Sequence, residues 1–136
     1  MVDLVKFALA TGMRQGEIAR IRVEDIDREE RTILIRDRKD PKKKQGNNQI
    51  VPLFDEAWNI LVPYFSGRKR GRIFNVKASS VSAAFTRACK RLAIIDLRFH
   101  DLRHRATADF FRVGLEIPHV ALMTGRRLPV FSSSWL

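Results

Sequence analysis

Apolar residues recur at helical spacing in Val2, Leu4, Val5, Ala8 and Leu9, and Thr11-Gly12 then breaks the run, which predicts a first helix. A helical pattern resumes from Arg14 to Ile21. The stretch from Val23 to Asp27 and the charged run Arg28 to Arg31 read as a connection across the surface. Two short β-branched runs follow, Thr32 to Arg36 and Gln49 to Leu53, and they are predicted to pair through the polar connection 37–48, where Gly46, Asn47 and Asn48 suit a turn. Asp55 is the predicted cap of a helix over 56–65 with Ala57, Ile60, Leu61 and Tyr64 on one side. Ser79 or Ser80 is the predicted cap of another that carries Val81, Phe85, Ala88 and Leu92 in phase. Leu102, Ala106 and Phe110 mark a helix over 101–113 ended by Gly114, and Ile117 to Met123 begins one more. Residues 126–136 have neither period, so no fixed conformation is expected there.

The expected fold class is therefore α+β, mainly α-helical with a small antiparallel hairpin or three-stranded sheet. A length of 136 residues suits one domain, and 45% hydrophobic residues suffice for a core. Charge narrows the partner. There are 26 Lys and Arg against 15 Asp and Glu, a formal net charge of +11, and nucleic acid is the commonest reason for such an excess. The lone Cys89 excludes an internal disulfide and a multi-cysteine zinc site, and within a helical run it reads as a small buried thiol. Asp3 and Lys6 interrupt the first apolar stretch, so no signal peptide or membrane span is expected and the cytoplasm is the expected location.

Three constellations carry candidate chemistry. In His100-Asp101-Leu102-Arg103-His104, His100 and Arg103 share a face at a helix start, where an imidazole, a guanidinium fork and free backbone N–H groups suit an anion. The plainer reading is a solvated Arg and His at a helix start, since short motifs of this size recur by chance. In Thr11-Gly12-Met13-Arg14-Gln15-Gly16-Glu17, Glu17 lies one turn after Arg14 and either orients it or forms an ordinary surface ion pair worth about 0.2–0.5 kcal/mol. The third is the basic hairpin arm, where Arg36, Arg38, Lys39, Lys42, Lys43 and Lys44 form either a solvated face or an arm that follows phosphates. Arg68, Lys69, Arg70 and Arg72 form a further basic run.

In order and spacing, TGMRQGE near the start, a hairpin lysine followed by IVPL, and HDLRH with a following helix that ends in TG resemble the catalytic domain of the tyrosine recombinases, the phage integrase family, over residues 2–125. The resemblance implies a partial catalytic domain over 1–125 and a non-matching tail over 126–136. It also implies DNA strand cleavage and rejoining: two arginines, a lysine and a histidine surround the scissile phosphate while a tyrosine attacks it and forms a 3′-phosphotyrosine link. Arg14 matches the first arginine, Lys39 the lysine, His100 and Arg103 the HxxR pair, and Glu17 the acidic residue beside the first arginine, with His104 in support. Arg36, Arg38, Lys42 to Lys44 and Arg68 to Arg72 are the expected DNA contacts. Two bidentate guanidiniums and an imidazole suit the charge that develops on a pentacoordinate phosphate, Lys39 would protonate the leaving 5′-oxygen, and no metal or cofactor is implied. The implied partners are double-stranded DNA and other recombinase subunits, with no membrane.

The chain departs from the family pattern in two catalytic positions. Where the pattern has His or Trp after the TG, this chain has Arg126, and the nucleophilic tyrosine expected shortly afterwards is not found. The one tyrosine, Tyr64, lies upstream in phase with Ile60 and Leu61 and reads as a core or rim aromatic. The family's DNA-clamping N-terminal domain and first catalytic-domain helix have no counterpart here, so the expectation is a fragment truncated at both ends and inactive by itself. The competing expectation, from a different class, is a non-catalytic DNA-binding module that regulates an intact recombinase.

Overall fold

The computed structural model describes residues 2–38 and 47–125. Lys39, Lys42, Lys43, Lys44, Arg126 and the tail 126–136 lie outside the described residues. Helix α1 (Val2–Thr11) is followed by α2 (Gln15–Ala19), a 3-10 turn (Val23–Asp25), and strands β1 (Ile26–Asp27), β2 (Thr32–Ile35) and β3 (Gln49–Pro52). Four helices complete the order: α3 (Asp55–Phe65), α4 (Ala78–Arg91), α5 (Asp101–Arg112) and α6 (Ile117–Thr124). This is the mainly helical α+β architecture that the patterning predicts.

The two predicted strands pair antiparallel with Ile33 opposite Val51 and Ile35 opposite Gln49, and β1 adds a third strand through Ile26 opposite Ile33. Strand order is β1-β2-β3. Alternation puts Ile33, Ile35 and Val51 into the core and leaves Ile50 exposed. Pro52, which has no N–H to donate, ends the edge strand β3. Around this sheet α1 packs against α3 and α5, α2 against α4, and α6 against both α5 and β3. Phe7, Tyr64 and Phe74 join α1 to α3, and Phe85 meets Phe99 edge-on at 5.6 Å where α4 faces the approach to α5.

Three local expectations are corrected. The segment from Val23 to Asp27 does not cross the surface: Val23, Asp25 and Ile26 are buried. Its place is fixed by backbone bonds, with Val23 N–H donating to Gly71 at 2.8 Å and Ile73 N–H donating to Ile21 at 3.0 Å. Asp55 and Ser79 sit inside the first turns of α3 and α4, whose cap positions are Phe54 and Lys77, and neither cap side chain makes a hydrogen bond. Leu92 falls past the last turn of α4, so its helical phase no longer points inward and it is 71% exposed. Cys89 is buried, as expected of a small apolar thiol.

Candidate functional site

The site begins where α1 stops. Thr11 Oγ1 donates to Phe7 O at 2.8 Å and accepts from Met13 N–H at 3.2 Å, which closes the turn. Gly12 adopts φ +69°, and a Cβ there would meet Thr124 Cγ2 at 2.9 Å and Ala106 Cβ at 3.3 Å. Only glycine lets this turn lie against α5 and α6. Arg14 is thereby set at the start of α2, its backbone N–H donating to Glu17 Oε1 at 3.1 Å and its guanidinium reaching Glu17 Oε2 at 3.4 Å. The Arg14 side chain is 28% exposed while that of Glu17 is 2% exposed.

Helix α6 ends against three arginines. Arg38 donates to the carbonyls of Leu122 and Met123, Arg103 to Thr124 O at 2.8 Å, and Arg14 to Gly125 O at 3.4 Å. These carbonyls are the partial negative end of the helix, so guanidiniums drawn from α2, the end of β2 and α5 are favourable there. Gly125 closes the helix in the left-handed region, with its N–H on Ala121 O at 2.9 Å. Arg38 is 1% exposed and fully engaged: its five N–H groups reach both Glu17 oxygens, Gln49 Oε1, Leu122 O and Met123 O. Burial pulls its pKa below the usual arginine value, and Glu17 opposes that shift.

A cleft of about 560 Å³ opens beside Arg14 and Arg103, walled by these two and by Glu17, Ser82, Arg98 and His100 among others. His100 occupies the cap position of α5 and is exposed, whereas Arg103 is buried one turn in. His104 stands edge-on to His100 at 5.3 Å. Asp101 Oδ2 accepts the Arg98 N–H at 2.8 Å, which tightens the approach to α5. A smaller cleft of about 280 Å³ adjoins it, sharing Glu17, Arg20 and Asp37 and adding Arg22, Arg36 and Arg72. Two arginines and an imidazole around one open cleft are groups chemically suited to an anion, and the second cleft beside it adds further arginines.

The phage integrase family model matches residues 2–127 of this sequence. The chain belongs to the phage integrase family. It is 39% identical over 121 residues to a shufflon-specific DNA recombinase from Escherichia coli, a match that spans 88% of this chain and 30% of that protein. The chain thus spans about a third of the length of that relative. Among solved structures, the Tn1549 transposon integrase in complex with a circular intermediate DNA superposes with a TM-score of 0.74 at 16% identity, covering 93% of this chain and 50% of that one. A lambda integrase tetramer bound to a Holliday junction superposes at 0.69 with 18% identity, covering 94% and 41%.

Of the residues that carry the family pattern, Arg14, Glu17, His100 and Arg103 come together on the large cleft, although 86 residues of sequence separate Arg14 from His100. Lys39 lies outside the described residues; its neighbour Arg38 is held at the site, with Arg38 N–H on Asn47 O at 2.7 Å and Asn47 Nδ2 on Arg38 O at 2.8 Å. The expectation that Arg38 contacts DNA is corrected: every donor of its guanidinium already has an internal acceptor. Arg36 is exposed but bound to buried Asp25 at 2.7 Å. Arg68 folds back onto the carbonyls of Tyr64, Arg70 and Arg72 and holds the turn 66–72, while Lys69, Arg70 and Arg72 stay exposed. Tyr64 is a rim aromatic. Its hydroxyl donates to Asp3 Oδ2 at 2.6 Å, and that bond, aided by partial burial, raises the phenol to about 12.

Several cleft residues are absent from the sequence reading, namely Arg20, Asp37, Ser82 and Arg98 in the large cleft and Arg22 in the small one. Arg98, two residues before His100, carried a usable signal. Ser82 did not: it arrives from α4, and its hydroxyl donates to Gln15 Oε1 at 2.5 Å.

Proposed function

We propose that the large cleft holds the scissile phosphate of double-stranded DNA and that the chain is the phosphate-binding part of a tyrosine recombinase. The observation that carries this reading is that Arg14, His100 and Arg103 wall one cleft, with Arg14 backed by a buried carboxylate. In that arrangement the two guanidiniums and the imidazole stabilise the charge on the non-bridging oxygens as a phenol oxygen attacks phosphorus and the bond to the 5′-oxygen breaks. Lys39, one residue beyond Arg38, delivers the proton to the departing 5′-oxygen. Arg20, Arg22, Arg36 and Arg72 in the adjoining cleft, with Lys42, Lys43, Lys44, Lys69 and Arg70, meet the flanking backbone phosphates. Other recombinase subunits are the natural partners, as in the tetramer of the structural relative.

Residues 1–136 by themselves bind the phosphate without cleaving it. Tyr64 is the one tyrosine in the sequence; its phenol is bound to Asp3, and it is not part of the cleft wall. The same observation favours a second reading, a non-catalytic module that occupies recombinase sites. A nicked suicide duplex separates the two. The chain alone is expected to give no covalent adduct, and a supplied helix that carries a tyrosine is expected to restore one that Arg14→Ala or Arg103→Ala abolishes. Failure of complementation with binding intact would favour the regulatory module. A covalent adduct from the unassisted chain that survives Tyr64→Phe would overturn the expected inactivity.

A further inference from the structure

Glu17 is buried between two arginines. Arg38 reaches it through Nε at 3.0 Å and Nη2 at 3.4 Å, and Arg14 reaches it through one Nη at 3.4 Å. One negative and two positive charges leave +1 on this triad; Arg14 and Glu17 both line the cleft, and of the three side chains only Arg14 is appreciably exposed. Arg38 has an acceptor for all five N–H groups. Arg14 has acceptors for two of its five among the described residues, Glu17 and Gly125 O.

We propose that Arg38 is a positioning residue that neutralises Glu17 from below, so that Arg14 is oriented by the carboxylate yet keeps its charge and free donors for a phosphate in the cleft. This rests on the phosphate site described under the proposed function. A buried carboxylate needs a full counter-charge. Without Arg38, Glu17 would take that charge from Arg14: the pair would close, its net charge would fall to zero, and the cleft would lose both attraction and donors. A residue that merely filled space would give no such result. The distinction is electrostatic, so removing the negative partner as well should repair the site.

The alternation of β2 conceals this role. Ile33 and Ile35 point inward, so period two assigns residue 37 to the core and residue 38 to the outer face with Arg36. Asp37 adopts φ +48°, which breaks the parity and turns Arg38 inward instead. The strained residue is fixed by its N–H bond to Asn48 Oδ1 at 3.0 Å.

The test is calorimetric titration of the 136-residue chain with inorganic phosphate at low ionic strength, with folding followed by circular dichroism. Arg38→Met should bind phosphate about tenfold more weakly, the change expected for loss of one charge-assisted contact. Arg38→Met with Glu17→Gln should return to within about threefold of the parent, and Arg38→Lys, which keeps the charge, should stay within the same range. A folded Arg38→Met with parental affinity, a double variant no tighter than Arg38→Met, or an Arg38→Lys as weak as Arg38→Met overturns the proposal. If Arg38→Met does not fold, the double variant decides, because its charges balance: folding with near-parental affinity supports the proposal, and loss of either overturns it. If the parent chain itself binds no phosphate, the proposed function fails separately. Nitrogen-15 NMR of the Arg14 guanidinium then reads the pairing directly: Nη rotation should slow in Arg38→Met and be released in the double variant, and unchanged rotation overturns the inference.

Discussion

Arg14, on the cleft wall, meets Gly125 at the end of α6: the guanidinium donates to the Gly125 carbonyl at 3.4 Å, and a Cβ on Gly125 would stand 2.8 Å from an Arg14 Nη and 2.3 Å from Arg38 Nε. The glycine is required twice, by its φ of +74° and by the two side chains that pass where a Cβ would be. Gly125→Ala should cost about 1–3 kcal/mol, combining left-handed strain with displaced guanidiniums. It should also weaken phosphate binding, since Arg14 must move. Urea melts and a phosphate titration check both; a variant with unchanged stability would mean that α6 does not end against these arginines.

Tyr64 offers a spectroscopic test, because it is the only tyrosine in the chain. Its hydroxyl donates to Asp3, so the protonated phenol is the form that the fold favours, and the group titrates at about 12 rather than at its usual 10. The sign follows: the bond contributes stability below about pH 10 and loses that contribution as pH rises through 10 towards 12. Ultraviolet titration of the phenolate should show the raised midpoint, and Asp3→Asn should bring it back towards 10. A normal midpoint in the parent chain would break the contact between α1 and α3 that holds Tyr64 at the rim.

Legibility in the sequence followed periodicity. Val81 and Phe85, or Leu102, Ala106 and Phe110, announce their burial because several residues repeat one phase, and α4 and α5 form where that phase runs. Arg14, His100 and Arg103 were legible through motif order, and the folding of α2 against α4 and of α5 against α6 brings them to one cleft. Arg38 was not legible, since a single left-handed residue at Asp37 reverses the side on which everything after it points. The same holds for Val23 to Asp27: a charged segment reads as surface, and its burial depends on pairing with Gly71 and Ile73, more than 40 residues away. Non-local bonds of that kind leave no local period.

Gly12 is the counterpart of Gly125 in the turn between α1 and α2. Its φ of +69° and the 2.9 Å approach of Thr124 Cγ2 leave no room for a side chain. Gly12→Ala should therefore cost about 1–3 kcal/mol and loosen α6 from the turn that carries Arg14. Thr124→Ser removes the methyl that a Cβ at position 12 would strike. Added to Gly12→Ala, it should recover the steric part of the loss and leave the backbone strain. Melts of the two single variants and the double variant measure that coupling, and strict additivity would show that the close approach is not the source of the cost.

Arg72 separates stability from binding. It is paired across a backbone bridge with Arg22, and the flanking bonds Val23 to Gly71 and Ile73 to Ile21 make this the non-hydrogen-bonded kind of pair, in which side chains lie closest. Two like charges so placed repel each other unless an anion sits between them. Glu24 takes the Arg22 Nε at 3.1 Å, whereas the Arg72 guanidinium has no hydrogen-bonding side chain or carbonyl among the described residues. Arg72→Gln should therefore leave stability unchanged or raise it slightly, by no more than about 0.5 kcal/mol at this exposed position. DNA binding should move the other way: affinity for any duplex should fall, and the slope of log affinity against log salt should flatten by about one, as for one lost phosphate contact. Arg20→Gln, at the wall shared by the two clefts, should act alike. Fluorescence anisotropy over a salt series reads the slope. If Arg72→Gln destabilises the fold while the slope stays the same, the Arg22–Arg72 pair is a structural element and the second cleft does not face DNA.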